Sequence, residues 1–371
     1  MEINNNMNLK DKTSAIGNDI PESGNIFTYV AANKDKTFLD KAITMADIFL
    51  LALLANFKFE NVSGFYDELS LKELGICCSP IEHREDLWPN EDGRGLVEVV
   101  SASPRYKDIV ISDLKNVFDK AQIIQFAAIT FCIRLNNKPK PIYVVAFRDN
   151  DDTVTGWSES TNLLVQKTTP SHDLASRYLV KIAEKYSTGD IILTGYGKGG
   201  HLASYAGIVA DAYIQNRITG IYDFDGYGFA QNIFMETQFM RIQSKIKHFV
   251  LSYTGALFNF YYGYLVIGSN TSSNYCFSAE IDDNGNFASV EPNKRLKKIH
   301  RKSICYLKAT SIKERHGLIR AFESATRKAM ASGEDTKQYI ASHKSEIKVK
   351  MLFTSDLIFA GLKAKIMMIF S

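Results

Sequence analysis

The chain has few of the residues that staple a fold together or hold a metal. Its five cysteines, Cys77, Cys78, Cys132, Cys276 and Cys305, are odd in number and scattered over 371 positions. None stands in a CxxC pair, and Cys77 and Cys78 are adjacent, so neither a disulfide framework nor a structural zinc is expected. Cys132 and Cys276 lie in apolar, strand-like surroundings, where a reduced core thiol is the ordinary role. No GxxxxGK[ST] phosphate loop, internal repeat or low-complexity tract is present. A surplus of one charge is missing too. The 44 Lys and Arg stand against 41 Asp and Glu, a net charge of +3, which gives no argument for nucleic acid. The polar N-terminus, Met1 to Lys12, lacks the charged-then-apolar layout of a secretory signal. These absences point to a reducing cytoplasm, with no metal, cofactor or nucleic-acid partner expected.

One uncharged run tests that reading. His248 to Ser269 has no acidic or basic side chain after its histidine, and its length approaches a membrane span. Gly255 and Gly263 break it, and Ser252, Thr254, Asn259 and four tyrosines interrupt its apolar character. Two buried strands with a connection account for it better, so an integral membrane protein is not expected.

What is present reads as an ordinary globular chain, 45% hydrophobic and 23% charged. Residues 1–24 read as a flexible polar leader. Lys41 to Phe57 has a helical apolar pattern, and residues 65–121 read as helical and loop-rich. Gln125 to Leu135 and Pro141 to Arg148 read as a hairpin-like strand pair. Ser171 to Lys185 is amphipathic and leads into Ile191-Ile-Leu-Thr-Gly-Tyr-Gly-Lys-Gly-Gly-His-Leu-Ala-Ser204. That segment has the outline of a nucleophile elbow, a strand-to-helix turn that holds a catalytic serine in Gly-x-Ser-x-Gly. In the frame Gly195-Tyr196-Gly197-Lys198-Gly199 the central residue is glycine, which has no side chain to attack anything. Short strands follow at Ile218–Asp223, Phe249–Ser252 and Leu265–Gly268, and a hairpin is expected over Phe277–Val290, turned at Asp282-Asp-Asn-Gly285. Met351 to Phe370 is an amphipathic helix, available to a core or to a partner or membrane surface.

The chain resembles a bacterial lipase-like α/β-hydrolase family related to class 3 lipases. The resemblance rests on Gly195-Tyr-Gly-Lys-Gly-Gly-His-Leu-Ala203, where that family carries GHSKGGNLA. It also rests on Phe147-Arg-Asp-Asn-Asp-Asp-Thr-Val-Thr-Gly-Trp157, for FRGTDDT-x-x-GW, and on Asp225-Gly-Tyr-Gly-Phe229, for DGPGF. Asn25-Ile-Phe-Thr-Tyr29, Asp47-Ile-Phe-Leu-Leu51 and the helical tail are similar as well. The similarity covers roughly residues 25–365. It implies an α/β-hydrolase fold, with a mainly parallel central sheet flanked by helices and helical additions at both ends. The organisation expected is a leader (1–24), a lipase-like domain (25–300) and a C-terminal helical extension (301–371) packed on it.

The departures from the family pattern fall where the chemistry belongs. Gly197 stands at the serine. The family histidine, near QHD-x-FSW, corresponds to Asn274, which cannot take and return a proton near neutral pH. The oxyanion segment carries Asp149 and Asn150 in place of glycine and threonine, and a carboxylate there suits a developing oxyanion poorly. The degenerate site therefore comprises Gly197, Tyr196, Lys198, Asn274, Asp149, Asn150 and Asp225. The Lys198 N–H, at a helix start, remains a candidate anion donor.

Other candidates have plainer roles. His201 fits local packing or hydrogen bonding, and His172-Asp173 fits a helix N-terminus. His300, in Lys297-Lys-Ile-His-Arg-Lys302, belongs to a solvated basic face or to a contact with an acidic or phosphate-bearing partner. Asp223 and Asp225 shape a loop, and Trp157 anchors the loop after the Phe147 strand. The expected function is a catalytically inactive, lipase-like protein that binds an acyl or lipid-like ligand, an anionic small ligand or a protein partner. The rival is an active carboxylic-ester hydrolase with a non-standard nucleophile, for which His201, Ser204 and His300 are the fallback candidates. A third reading is an interaction protein whose old active site has filled with side chains such as Tyr196 and Asn150.

Overall fold

The computed structural model describes residues 24–63, 67–135, 137, 139–151, 153–166, 168–229, 237–251, 265–266, 276–289, 294–309 and 328. Four helices precede or flank the first strands: α1 (Ile26–Asn33), α2 (Met45–Leu54), α3 (Leu71–Cys77) and α4 (Glu91–Ala102). The first three begin at capping boxes, Asn25 with Thr28, Thr44 with Asp47 and Ser70 with Glu73, which satisfy backbone N–H groups that no helical turn can reach. Asp47 does more than cap. Its carboxylate accepts from Arg105 Nε and Nη2 at 2.9 and 2.6 Å and from the Tyr106 hydroxyl at 2.8 Å. Arg105 spends its other donors on the carbonyls of Lys36, Thr37, Lys41 and Ala42. One buried guanidinium thus closes the α1–α2 connection and neutralises the acid that starts α2.

Among the described residues, eight strands form a single sheet in sequential order. They are β1 (Glu68–Ser70), β2 (Val110–Asp119), β3 (Ile124–Ile133), β4 (Ile142–Phe147), β5 (Asp190–Tyr196), β6 (Ile218–Phe224), β7 (Ile246–Val250) and β8 (Leu265–Val266). Pairings from β1 to β4 are antiparallel, and the four from β4 to β8 are parallel. The parallel crossovers contain α5 (Val154–Val165), α6 (Pro170–Lys185), α7 (Lys198–Val209), α8 (Ala212–Arg217) and α9 (Thr237–Ile242). A last described helix, α10, covers Lys294–Ala309. This is the α/β-hydrolase architecture that the motifs imply.

Strand alternation supplies both faces of the sheet. Val144, Ala146, Ile192, Phe224 and Phe249 enter a core shared with α1–α4. Val145, Phe147, Ile191, Leu193 and Ile221 enter a second core shared with α6 and α7. Parallel strands added in one direction through right-handed crossovers place those helices on one face, and the N-terminal helices cover the other.

Several local expectations change. Residues 65–121 are not only helical and loop-rich, because β2 is a ten-residue strand there. Its charged residues hide the alternation, and Asp113 at φ 57° marks a register shift between Ser112 and Lys115. Of the expected hairpin over Phe277–Val290, the described residues show the Ile281–Phe287 bridge, around a turn in which Asp282 accepts from the N–H groups of Asn284 and Asn286. Cys276 lies in a short 3-10 turn, Cys276–Ser278, and not in a strand. Trp157, expected to anchor the loop after the Phe147 strand, lies in helix α5, and its side chain is outside the described residues. Most of the expected leader, residues 252–264 and the amphipathic segment Met351 to Phe370 lie outside the described residues. Among the described residues, no helix is long and apolar enough to cross a membrane.

Removing one partner of a buried ion pair leaves the other uncompensated. Asp47→Ala is therefore expected to destabilise the chain by about 3–5 kcal/mol, read as a lower urea midpoint. A change no larger than that of an exposed substitution would show that the Arg105 pair does not hold the N-terminal helices.

Candidate active site

The elbow is built as its sequence outline suggests. β5 ends at Tyr196, and α7 begins at Lys198 with Gly197 as its N-terminal cap, at φ 56° and ψ −121°. A residue with a Cβ is strained in that region, whereas glycine enters it freely. The outer glycines serve packing. A Cβ on Gly195 would fall 2.2 Å from the Gly199 carbonyl carbon, and one on Gly199 would fall 2.0 Å from the Phe147 carbonyl oxygen. They let the first turn of α7 lie against the ends of β4 and β5.

The space above Gly197 is taken by Asp149. A Cβ built on Gly197 would lie 2.4 Å from Asp149 Oδ1 and 2.5 Å from Oδ2. The same Oδ1 accepts the Lys198 backbone N–H at 2.7 Å. One buried carboxylate therefore fills the position of a side chain at 197 and uses the first donor of the α7 N-terminus, where the helix dipole favours negative charge. Asp149 is held there by its neighbours. Arg148 grips Glu60 through two nitrogens at 2.6 and 2.8 Å and bonds the carbonyls of Ala55 and Phe57 beyond the end of α2. Asn56 Oδ1 accepts the Asp149 N–H at 3.0 Å. The expectation that Lys198 N–H is open to an external anion is corrected, because an internal carboxylate occupies it.

Tyr196 and Asp225 flank the same point. Asp225 sits at φ 62°, its N–H bonded to Phe249 O at 2.7 Å and its Oδ1 accepting from Leu251 N at 3.1 Å. The Tyr196 hydroxyl hydrogen-bonds Asp225, and burial, then the carboxylates of Asp225 and Asp149, hold its proton well above the usual tyrosine range. Burial and the same two carboxylates push the Cys276 thiol far above its ordinary value, so it stays a thiol. Asn150 is half-buried and donates to Ser160 Oγ at 3.3 Å, so the side chain that fills the elbow is Asp149 and not Asn150. Asn274 lies outside the described residues.

The fallback nucleophiles are engaged elsewhere. Ser204 is fully buried and donates to Asp223 Oδ2 at 3.1 Å, and His248 Nδ1 lies 2.9 Å from the same oxygen. The acid stands between serine and histidine, the reverse of the order that lets histidine take the serine proton. Asp223 Oδ1 also accepts from Gly226 N at 2.9 Å. His201 is fully buried with both ring nitrogens used. Thr169 N–H donates to His172 Nδ1 at 3.0 Å, which places the His172 proton on Nε2. His172 Nε2 then donates to His201 Nε2 at 2.9 Å, and His201 Nδ1 donates to Tyr227 O at 2.8 Å. His300 lies half-buried on α10.

The Mbeg1-like family model matches residues 100–322, well over half the chain. The chain belongs to the Mbeg1-like family. A solved lipase structure, that of M37 lipase, overlays with a TM-score of 0.36 and 14% identity, covering 72% of this chain and 83% of that one. An overlap that low says nothing about the chemistry of the Mbeg1-like chain. No curated protein matches it.

Sequence reasoning missed the anchor beneath the elbow. Lys198 is a fully buried side chain whose Nζ donates to Glu159 Oε2 at 3.0 Å and to the Gln125 carbonyl and side chain. Glu159 also receives Gln125 N at 3.0 Å and the Ser171 hydroxyl. A lysine in the first turn of a helix packed on a sheet has no solvent to reach, and that was the available signal for a buried acid partner. Among the described residues, no group of three metal-ligating side chains is present.

Two predictions follow from this geometry. Ser at 197 both strains the backbone and collides with Asp149, whereas Asp149→Gly alone removes the acceptor of a buried N–H. Gly197→Ser and Asp149→Gly should each destabilise the Mbeg1-like chain, with the double variant less destabilised than the sum by about 1–3 kcal/mol. Additive values in urea unfolding would mean that the two positions do not share space. The second concerns pH. Burial lowers His201 to about 4, and burial with the neighbouring His201 ring takes His172 well below its usual value. Unfolded histidine protonates near ~6.5, so the unfolded chain binds more protons between there and about 4. Stability should fall as pH drops through that window, by about 1.4 kcal/mol per pH unit per histidine. His201→Asn should flatten the slope, and an unchanged slope would show that the ring is not held neutral.

Proposed function

We propose that the chain is a lipase-like protein without hydrolytic activity that acts by binding, with a protein partner favoured over a small ligand at the elbow. One observation carries this reading: the Asp149 carboxylate lies against Gly197 and accepts the Lys198 N–H. In a working elbow those two places belong to the nucleophile and to the developing oxyanion. Filling both with one internal anion supports inactivity more strongly than a missing serine alone. A free carboxylate or phosphate would have to displace Asp149 against like charge, which weighs against a small anionic ligand. Ser204 bonded to an acid, His201 with both nitrogens engaged and Cys276 held as a thiol leave these groups poorly placed as substitute nucleophiles. The odd, scattered cysteines of the sequence support placing the chain in a reducing cytoplasm.

The test is ester hydrolysis over short and long acyl chains, comparing the native chain with Gly197→Ser/Asp149→Gly/Asn274→His. No turnover is expected from the native chain. Activity in the triple variant would mean that only the elbow chemistry has been lost. Native turnover that survives repurification would overturn the inactive reading.

A further inference from the structure

The charge of the chain is strongly segregated. From Lys294 to Ser371 there are 18 Lys and Arg against 6 Asp and Glu, which puts +12 on this segment and −9 on the 293 residues before it. Apart from Lys328, the described part of the segment is α10, with seven Lys and Arg and no acidic residue over Lys294–Ala309. Leu296 is buried, so that side of the helix is turned to the protein. Lys294, Lys298 and Arg301 are exposed, and their spacing of four and then three residues places them on one face. At the rise of an α-helix they form a line roughly 10 Å long. Exposed Lys297 lies beside it, and exposed Cys305 continues it.

We infer that this face of α10 docks the protein on an anionic phospholipid surface. A plane of phosphate and carboxylate headgroups meets all three cations at once, while the acidic remainder stays in solution. Repulsion between that remainder and the membrane turns α10 toward it. With Leu296 committed inward, the contact is electrostatic, reversible and sensitive to salt. A nucleic-acid duplex fits less well. The exposed line has no aromatic ring, Asn or Gln to stack on or read a base.

The test is co-sedimentation of the full chain with vesicles of phosphatidylcholine alone or with phosphatidylserine added. Binding is expected only with phosphatidylserine, at low salt, and is lost at high salt. Lys294→Gln/Lys298→Gln/Arg301→Gln should lower the partition coefficient about 100-fold. Lys294→Arg/Lys298→Arg should bind as the native chain does, with circular dichroism confirming that both variants fold. Equal binding to the two vesicle types, unchanged binding of the Gln variant, or tighter binding to duplex DNA than to anionic vesicles at the same salt would each overturn the inference.

Discussion

The contact on which the elbow depends is that of the Asp149 carboxylate with the backbone of Gly197 and Lys198. It exists only because residue 197 has no Cβ: any larger side chain would lie within 2.5 Å of both carboxylate oxygens. It is favourable because a helix N-terminus has donors without partners and a partial positive charge, and Asp149 supplies the acceptor from within the chain. Position is set from outside the elbow. The Arg148–Glu60 pair and Asn56 tie the end of β4 to the end of α2, so the N-terminal helices help place the carboxylate. Glycine at 197 and aspartate at 149 are thus two halves of one structural arrangement.

The rest of the elbow persists for reasons of packing. Gly195 and Gly199 let backbone meet backbone where α7 leaves the sheet, and that requirement does not depend on catalysis. Lys198 reaches down to Glu159 and Gln125, joining α5, β3 and α7 through charges buried away from water. Such a network is costly to interrupt, because a buried charge without its partner is worse than an apolar core. The strand, turn and helix of the elbow are therefore held by packing and buried charge, independently of any chemistry at residue 197.

Much of this was legible in the sequence, and the failures have physical causes. β3, β4, β5 and β6 are dense apolar runs bounded by turn residues, so their burial shows in composition. β2 is not legible, because charged residues and a bulge at Asp113 break its alternation. Gly197, Lys198, Asp149 and Asp225 were found because each lies on a short motif. That Asp149 fills the elbow could not be found that way, since it depends on Arg148 reaching Glu60, 88 residues away. The His172–His201 pair joins two helices across 29 residues and leaves no local pattern.

The central claim, that the elbow of this Mbeg1-like chain holds an internal carboxylate in place of a nucleophile, is tested most directly by intact-mass analysis after treatment with a fluorophosphonate ester. The account predicts no added mass on the folded native chain, while Gly197→Ser/Asp149→Gly/Asn274→His provides the comparison. A stoichiometric adduct on the native protein, mapped to Ser204 or any other side chain of the site, would contradict it.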